Sequence, residues 1–171
     1  MGIGSDKFLI KPCVEEDLKR ILDIQEETFK QLEESDVLRR NTPEMLYECL
    51  KPPHLTLGAW YMGELAAFSV LYFPDDEENL AKLLDGVDVS NLKSANYKLC
   101  IVRKEFRGNS LQYLLGTELI KVAKEQGVQI LCCTASPHNP YSISNIEKMG
   151  FTYNKTLQKY GFERNLYYCM L

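Results

Sequence analysis

A chain of 171 residues, 45% hydrophobic and 26% charged, is long enough for one folded domain and ordinary for a globular one. Its net charge of −4 argues against a partner recognised through a phosphate backbone, so no nucleic acid is expected. No apolar run approaches the ~20 residues of a membrane span, and the first residues lack a signal-peptide core, so a cytoplasmic protein without a membrane partner is expected.

Phe8 to Lys11 reads as a short strand ended by Pro12. From Val14 to about Leu32 apolar residues recur at Leu18, Ile21, Leu22, Ile24 and Phe29, the spacing of one helix face. Thr42-Pro43 starts a second helix, with Thr42 as cap and Pro43 in the first turn, finishing near Leu50. Strands at 55–61 and 65–73 flank Met62-Gly63-Glu64, a hairpin signal. The stretch 74–95 opens with Asp75-Asp76-Glu77-Glu78 and holds a short apolar helix around Leu80, Leu83 and Leu84. Those acids suit a solvated helix start, or a rim that attracts a cationic substrate.

The second half runs strand 97–102, helix 110–126 closed by Gly127, strand 128–134, helix 140–149, strand 151–157 and strand 166–170. Leu111, Leu114, Leu115, Leu119, Val122 and Ala123 form one stripe on the longer helix. Two early helices, central strands and then β-α-β-α-β-β predict a single mixed α/β sheet covered by helices. No repeat or linker divides residues 1–171.

Chemistry concentrates in two segments. Arg107-Gly108-Asn109-Ser110-Leu111-Gln112 joins a strand to a helix, which gathers unpaired backbone N–H groups around a small concavity suited to phosphate. The plain alternative is a capping box between Asn109 and Gln112. It is neither a P-loop nor a Rossmann turn, since the required glycines and lysine are missing. The second segment, Ser136 to Phe151, puts Asn139 at a helix N-cap and Ser142 about one turn in, and capping alone would account for both. His138 and His54 need no catalytic role. The six cysteines form no Cys-x-x-Cys unit with histidine partners, so no metal is expected. They read as reduced, buried thiols, with a catalytic thiol at Cys100 or Cys133 as the alternative.

Taken together, strand, Arg-Gly-Asn-Ser-Leu-Gln, amphipathic helix, strand, and Asn-x-x-Ser followed eight residues later by Gly-Phe resemble the GCN5-related N-acetyltransferase (GNAT) family. The resemblance covers most of the chain and is similar to an uncharacterised bacterial branch. It implies a mostly antiparallel sheet whose one parallel pair splays for coenzyme A, with helices on both faces. It also implies an N-acyltransferase using acetyl-CoA as co-substrate without metal, acting on a primary, small-molecule amine, and a possible homodimer. Carried onto this chain, the pyrophosphate would meet backbone N–H groups from Gly108 to Gln112, hence Gly108, Asn109, Ser110, Leu111 and Gln112, with Arg107 alongside. The pantetheine arm would pair with backbone near Ile101 and Val102, hydrogen-bond Asn139 and be flanked by Ser142.

Three positions depart from the family pattern. Ser110 and Gln112 replace small motif residues, and Ile146 stands where many members carry a proton-donating tyrosine. Thiolate is a tolerable leaving group, whereas an amine of pKa ~10.4 is only ~0.1% neutral at pH 7, a handicap of roughly 4 kcal/mol. Glu26, Glu27, Tyr72, Tyr97 and Tyr141 could each assist, and the catalytic group stays open. The other class of reading is a non-catalytic acyl-CoA sensor or an interaction module on the same fold.

Overall fold

A computed structural model describes residues 2–32 and 39–171. Seven strands form one sheet in the order β1-β2-β3-β4-β5-β7-β6: β1 (Leu9–Pro12), β2 (Leu55–Tyr61), β3 (Glu64–Tyr72), β4 (Ser94–Val102), β5 (Ile130–Ala135), β6 (Thr152–Lys159) and β7 (Phe162–Met170). Every pairing is antiparallel except β4 with β5. Four helices, α1 (Leu18–Gln31), α2 (Pro43–Glu48), α3 (Leu111–Glu125) and α4 (Pro140–Lys148), complete the order.

The helices divide between the faces. On one, Ile21 and Ile24 of α1 and Leu46 of α2 bury against Phe68, Val70, Leu99 and Ile101. On the other, Leu111, Leu115 and Leu119 of α3 and Ile146 of α4 meet Leu71, Leu131 and Tyr167. The apolar helix expected near residue 80 is a 3-10 turn, Leu80–Leu83, capped by Asn79 and packed on Ile130, Cys132 and Leu166.

Most expected elements lie where the pattern put them, and the differences have local causes. Pro12 is the last residue of β1 rather than its stop, which an edge strand tolerates because proline lacks only a donor. The α1 segment opens with a 3-10 turn at Glu15–Asp17, where the Asp17 carboxylate accepts from Val14 N–H at 2.8 Å. The last two strands are longer than expected. They meet at a two-residue turn, Tyr160-Gly161, whose φ angles of 58° and 81° repeat the 49° and 81° of Met62-Gly63. Both pairs of positive φ match the primed turns that follow strand twist.

A fork between two strands and the groove above it

The parallel pair β4–β5 is only three residues long: Ser94, Ala95 and Asn96 face Ile130, Leu131 and Cys132. Beyond Asn96 the strands part. Just there β4 carries a bulge, since Leu71 and Val70 of β3 oppose Tyr97 and Leu99 while Lys98 has no opposite. The bulge re-aims the strand: Ala95 and Tyr97 pack on the α3 face, Leu99 and Ile101 on the α1 face.

Past the bulge, Arg103 N–H donates to Ala66 O at 2.9 Å, and the register pairs Ile101 with Phe68. Ladder alternation therefore turns the peptide groups of Ile101 toward β3 and those of Cys100 and Val102 into the fork. The expectation of exposed backbone at Ile101 and Val102 is corrected by one residue: Cys100 takes the place of Ile101.

A groove of about 340 Å³ runs from this fork to the start of α3. Of the residues singled out in the sequence, Ile101, Val102, Arg107, Gly108, Leu111, Gln112 and Asn139 line it, joined by Thr28 and Leu32 from the α1 side. Asn109 and Ser110 do not line it, and Ser142 lines a second cavity.

The start of α3 is not a capping box. Ser110, at a left-handed φ of 58°, is the N-cap and makes no side-chain cap bond. Asn109 is buried and faces away: its Oδ1 accepts from Ile3 and Gly4 N–H at 2.5 and 3.0 Å, and its Nδ2 donates to Phe106 O at 2.8 Å. Gln112 instead reaches α4, donating to Ser142 Oγ at 3.0 Å and accepting from Asn145 Nδ2 at 3.4 Å. With those side chains engaged elsewhere, no hydrogen bond among the described residues uses the N–H groups of Gly108, Asn109, Ser110, Leu111 or Gln112. The first turn of a helix leaves such donors by construction. At Gly108, φ 85°, a Cβ would meet nothing within 4 Å, so the space in front of the turn is open.

The second cavity, about 70 Å³, lies deeper in the fork and shares Cys100, Gln112 and Asn139 with the groove. Asn139 caps α4, accepting from Ser142 N–H at 3.1 Å, which leaves its amide nitrogen for the cavities it lines. Tyr97 also lines this cavity, and its buried hydroxyl makes no hydrogen bond of good geometry, with Ser69 and Cys100 as its nearest polar neighbours. Burial, with Cys100 next in effect, pushes that phenol well above its ordinary pKa. Burial likewise pushes the Cys100 thiol up to about 12 and the Cys133 thiol well above its ordinary value. Buried thiols of this kind are poor nucleophiles.

Of the other groups named for proton transfer, Glu26, Glu27 and Tyr72 are occupied, and Tyr141 stands at the groove edge. Glu26 pairs with Arg40, and Glu27 lies 3.6 Å from Arg103. Tyr72 stacks on His54 at 4.3 Å, and His54 Nδ1 accepts from Phe73 N–H at 3.0 Å. Tyr141 is exposed at the groove edge, while Ile146 is buried and apolar. The acids read as a solvated helix start, or else as a rim, are tied locally: Asp75 accepts from Glu78 N–H at 3.0 Å and Asp76 pairs with Lys82 at 2.7 Å. The cavity instead receives Arg39, Lys98 and Arg164, none of which apolar periodicity could single out.

Among the described residues no group of three His, Cys, Asp or Glu side chains could hold a metal, and no described helix is long and apolar enough to cross a membrane. The fold matches that of ribosomal-protein-alanine N-acetyltransferase from Brucella melitensis, with TM-score 0.72, 20% identity and coverage of 95% of this chain and 99% of that one. It also matches an N-acetyltransferase from Staphylococcus aureus Mu50, with TM-score 0.73, 17% identity and coverage of 95% and 98%. A third match is yncA of Salmonella typhimurium, solved with its cofactor acetyl-CoA, with TM-score 0.73, 14% identity and coverage of 96% and 94%. At such identities the likeness speaks for the fold alone. No curated protein matches the chain. The model of the acetyltransferase (GNAT) family, however, spans residues 18–151, from the first residue of α1 through α4 to the start of β6. The chain therefore belongs to the acetyltransferase (GNAT) family, and is an acetyl-CoA-dependent N-acetyltransferase.

Proposed function

We propose that the chain transfers an acetyl group from acetyl-CoA to a primary amine by direct attack, with residues 1–171 acting as one acyltransferase domain in the cytoplasm. Six free thiols accord with a reducing compartment. The observation that carries the reading is the set of unpartnered N–H groups between Gly108 and Gln112, of which Gly108, Leu111 and Gln112 line the groove. Consecutive amides at a helix start take a diphosphate, and Arg107 adds a positive charge beside them. The open space before Gly108 fits that group. The peptide groups of Cys100 and Val102 are the ladder partners offered to the amide-bearing arm, and Asn139 Nδ2 and Ser142 flank it.

Bound, acetyl-CoA supplies an activated thioester carbonyl to the attacking amine. Backbone N–H groups facing the fork polarise that carbonyl. The Tyr97 phenol at the inner cavity, kept protonated by burial, donates a hydrogen bond toward the departing sulfur, a role that the apolar Ile146 cannot take. With Cys100 and Cys133 held as thiols, no acyl-cysteine is needed.

Titration with acetyl-CoA of wild type and Gly108→Asp tests the reading. The carboxylate would stand where a diphosphate belongs, so affinity should fall at least about 100-fold. The side chain at φ 85° should cost only about 1–2 kcal/mol of stability. Equal affinities would overturn the proposal.

A further inference from the structure

The deeper cavity has a charge of its own. Arg39 reaches it from the segment before α2, Lys98 from the bulge of β4 and Arg164 from β7. Arg164 is engaged, with Nε and Nη2 each 3.4 Å from Thr134 acceptors, unlike Arg39 and Lys98, which rest on aromatic rings. The Arg39 guanidinium lies 3.7 Å from the Tyr160 ring centroid and the Lys98 ammonium 4.6 Å from that of Tyr72. Neither forms an ion pair among the described residues. An aromatic face offers a cation about 0.5–2 kcal/mol, well short of what a carboxylate provides in a partly desolvated site. The strain shows at Lys98, whose pKa is lowered first by burial and then by the like charge of Arg39. Glu78 opposes that shift, but more weakly than Arg39 drives it.

Among the described residues, no carboxylate stands within ion-pair distance of the two cations that this cavity assembles. The cavity is also too small, at about 70 Å³, for much more than the reactive end of an acceptor. We propose that the acceptor amine belongs to a molecule with its own carboxylate, an amino acid or close analogue, which Arg39 and Lys98 receive while the amine faces Cys100 and Asn139. This inference rests on the acyl-transfer reading above. In the transfer the nitrogen bonds to the acetyl carbon as the carbon–sulfur bond breaks. The nitrogen loses a proton, the sulfur gains one, and no further reactant is required. The same two cations would favour the neutral amine over ammonium, easing a deprotonation for which the described lining of the cavity supplies no carboxylate.

The test compares thiol release from saturating acetyl-CoA with free amino acids and with the corresponding amino acid amides, in wild type, Arg39→Gln and Arg39→Lys. The acids should exceed their amides at least about tenfold in kcat/KM. Arg39→Gln should erase that preference mainly through KM, and Arg39→Lys should keep part of it. The acetyl-CoA thermal shift should stay unchanged in both variants. Equal use of acids and amides, turnover of no acid, or a loss in Arg39→Gln that is equal for acids and amides would overturn the inference while leaving acyl transfer intact. Absence of any acetyl-CoA shift in wild type would instead remove the acyl-transfer reading, and this inference with it.

Discussion

A phenol buried without a hydrogen bond of good geometry costs a protein about 1–3 kcal/mol, so Tyr97 is worse for stability than phenylalanine would be at the same place. A stability argument alone therefore predicts that Tyr97→Phe leaves the fold unharmed or raises its unfolding free energy by up to about 2 kcal/mol. A hydrogen-bond-donating role predicts the opposite sign for activity. kcat should fall about 10–100-fold, the low end of general-acid effects, because thiolate already leaves tolerably. Acetyl-CoA affinity should not change. Urea melts and steady-state kinetics on the same preparation check both signs. A variant as active as wild type would leave the hydroxyl with no task in the reaction. The sequence put Tyr97 among five possible groups and could go no further. What distinguishes it is burial at the inner cavity, a three-dimensional fact, while Glu26, Glu27 and Tyr72 are each occupied by other residues and Tyr141 lies exposed at the groove edge.

At the scale of elements, legibility follows the local or non-local origin of each signal. Thr42 and Asn139 act as the caps they resemble because a cap bond spans only three residues. Asn109 does not, because its carbonyl is claimed by Ile3 and Gly4, more than a hundred positions away. In α1 the buried face includes Gln25 and Thr28 rather than Phe29. Gln25 clasps Asn41 in both directions at 2.8 and 2.9 Å, a polar use that apolar spacing cannot reveal. The parting of β4 from β5 depends on the unpaired Lys98, which alternation within one strand does not disclose. Packing at β2 makes a prediction of its own. A Cβ on Gly58 would sit 2.7 Å from Leu65 Cδ1 and Trp60 Nε1 and 2.9 Å from Cys13 Sγ, so three neighbours would have to yield together. Gly58→Ala should cost about 1–3 kcal/mol, or about 2–12 °C in Tm. Because all three neighbours belong to the α1-side core, acetyl-CoA affinity should be kept. A melting temperature equal to wild type would show that this core repacks freely.

Across the whole molecule the sheet is two parts joined by a short seam. One part is β1 to β4 with α1 and α2, the other β5 to β7 with α4, and three facing residue pairs connect β4 to β5. Helix α3 bridges them, and Gln112 with Ser142 and Asn145 ties it to α4 at the fork. A ligand seated along the groove would touch Ile101 and Val102 of the first part, the start of α3, and Asn139 of the second, adding a cross-link where backbone pairing has stopped. Ligand at 100 times its Kd should raise stability by about 2.7 kcal/mol through mass action, about 5–10 °C in Tm for a chain of this size. That shift alone would follow from binding anywhere. The seam adds a spatial signature: hydrogen exchange should slow at Cys100, Val102 and Gly108 to Gln112, and also beyond the fork near Ala135 to Asn139. Protection confined to the β4 and α3 side would mean that the ligand does not span the opening, and that the two parts are held by their own contacts alone.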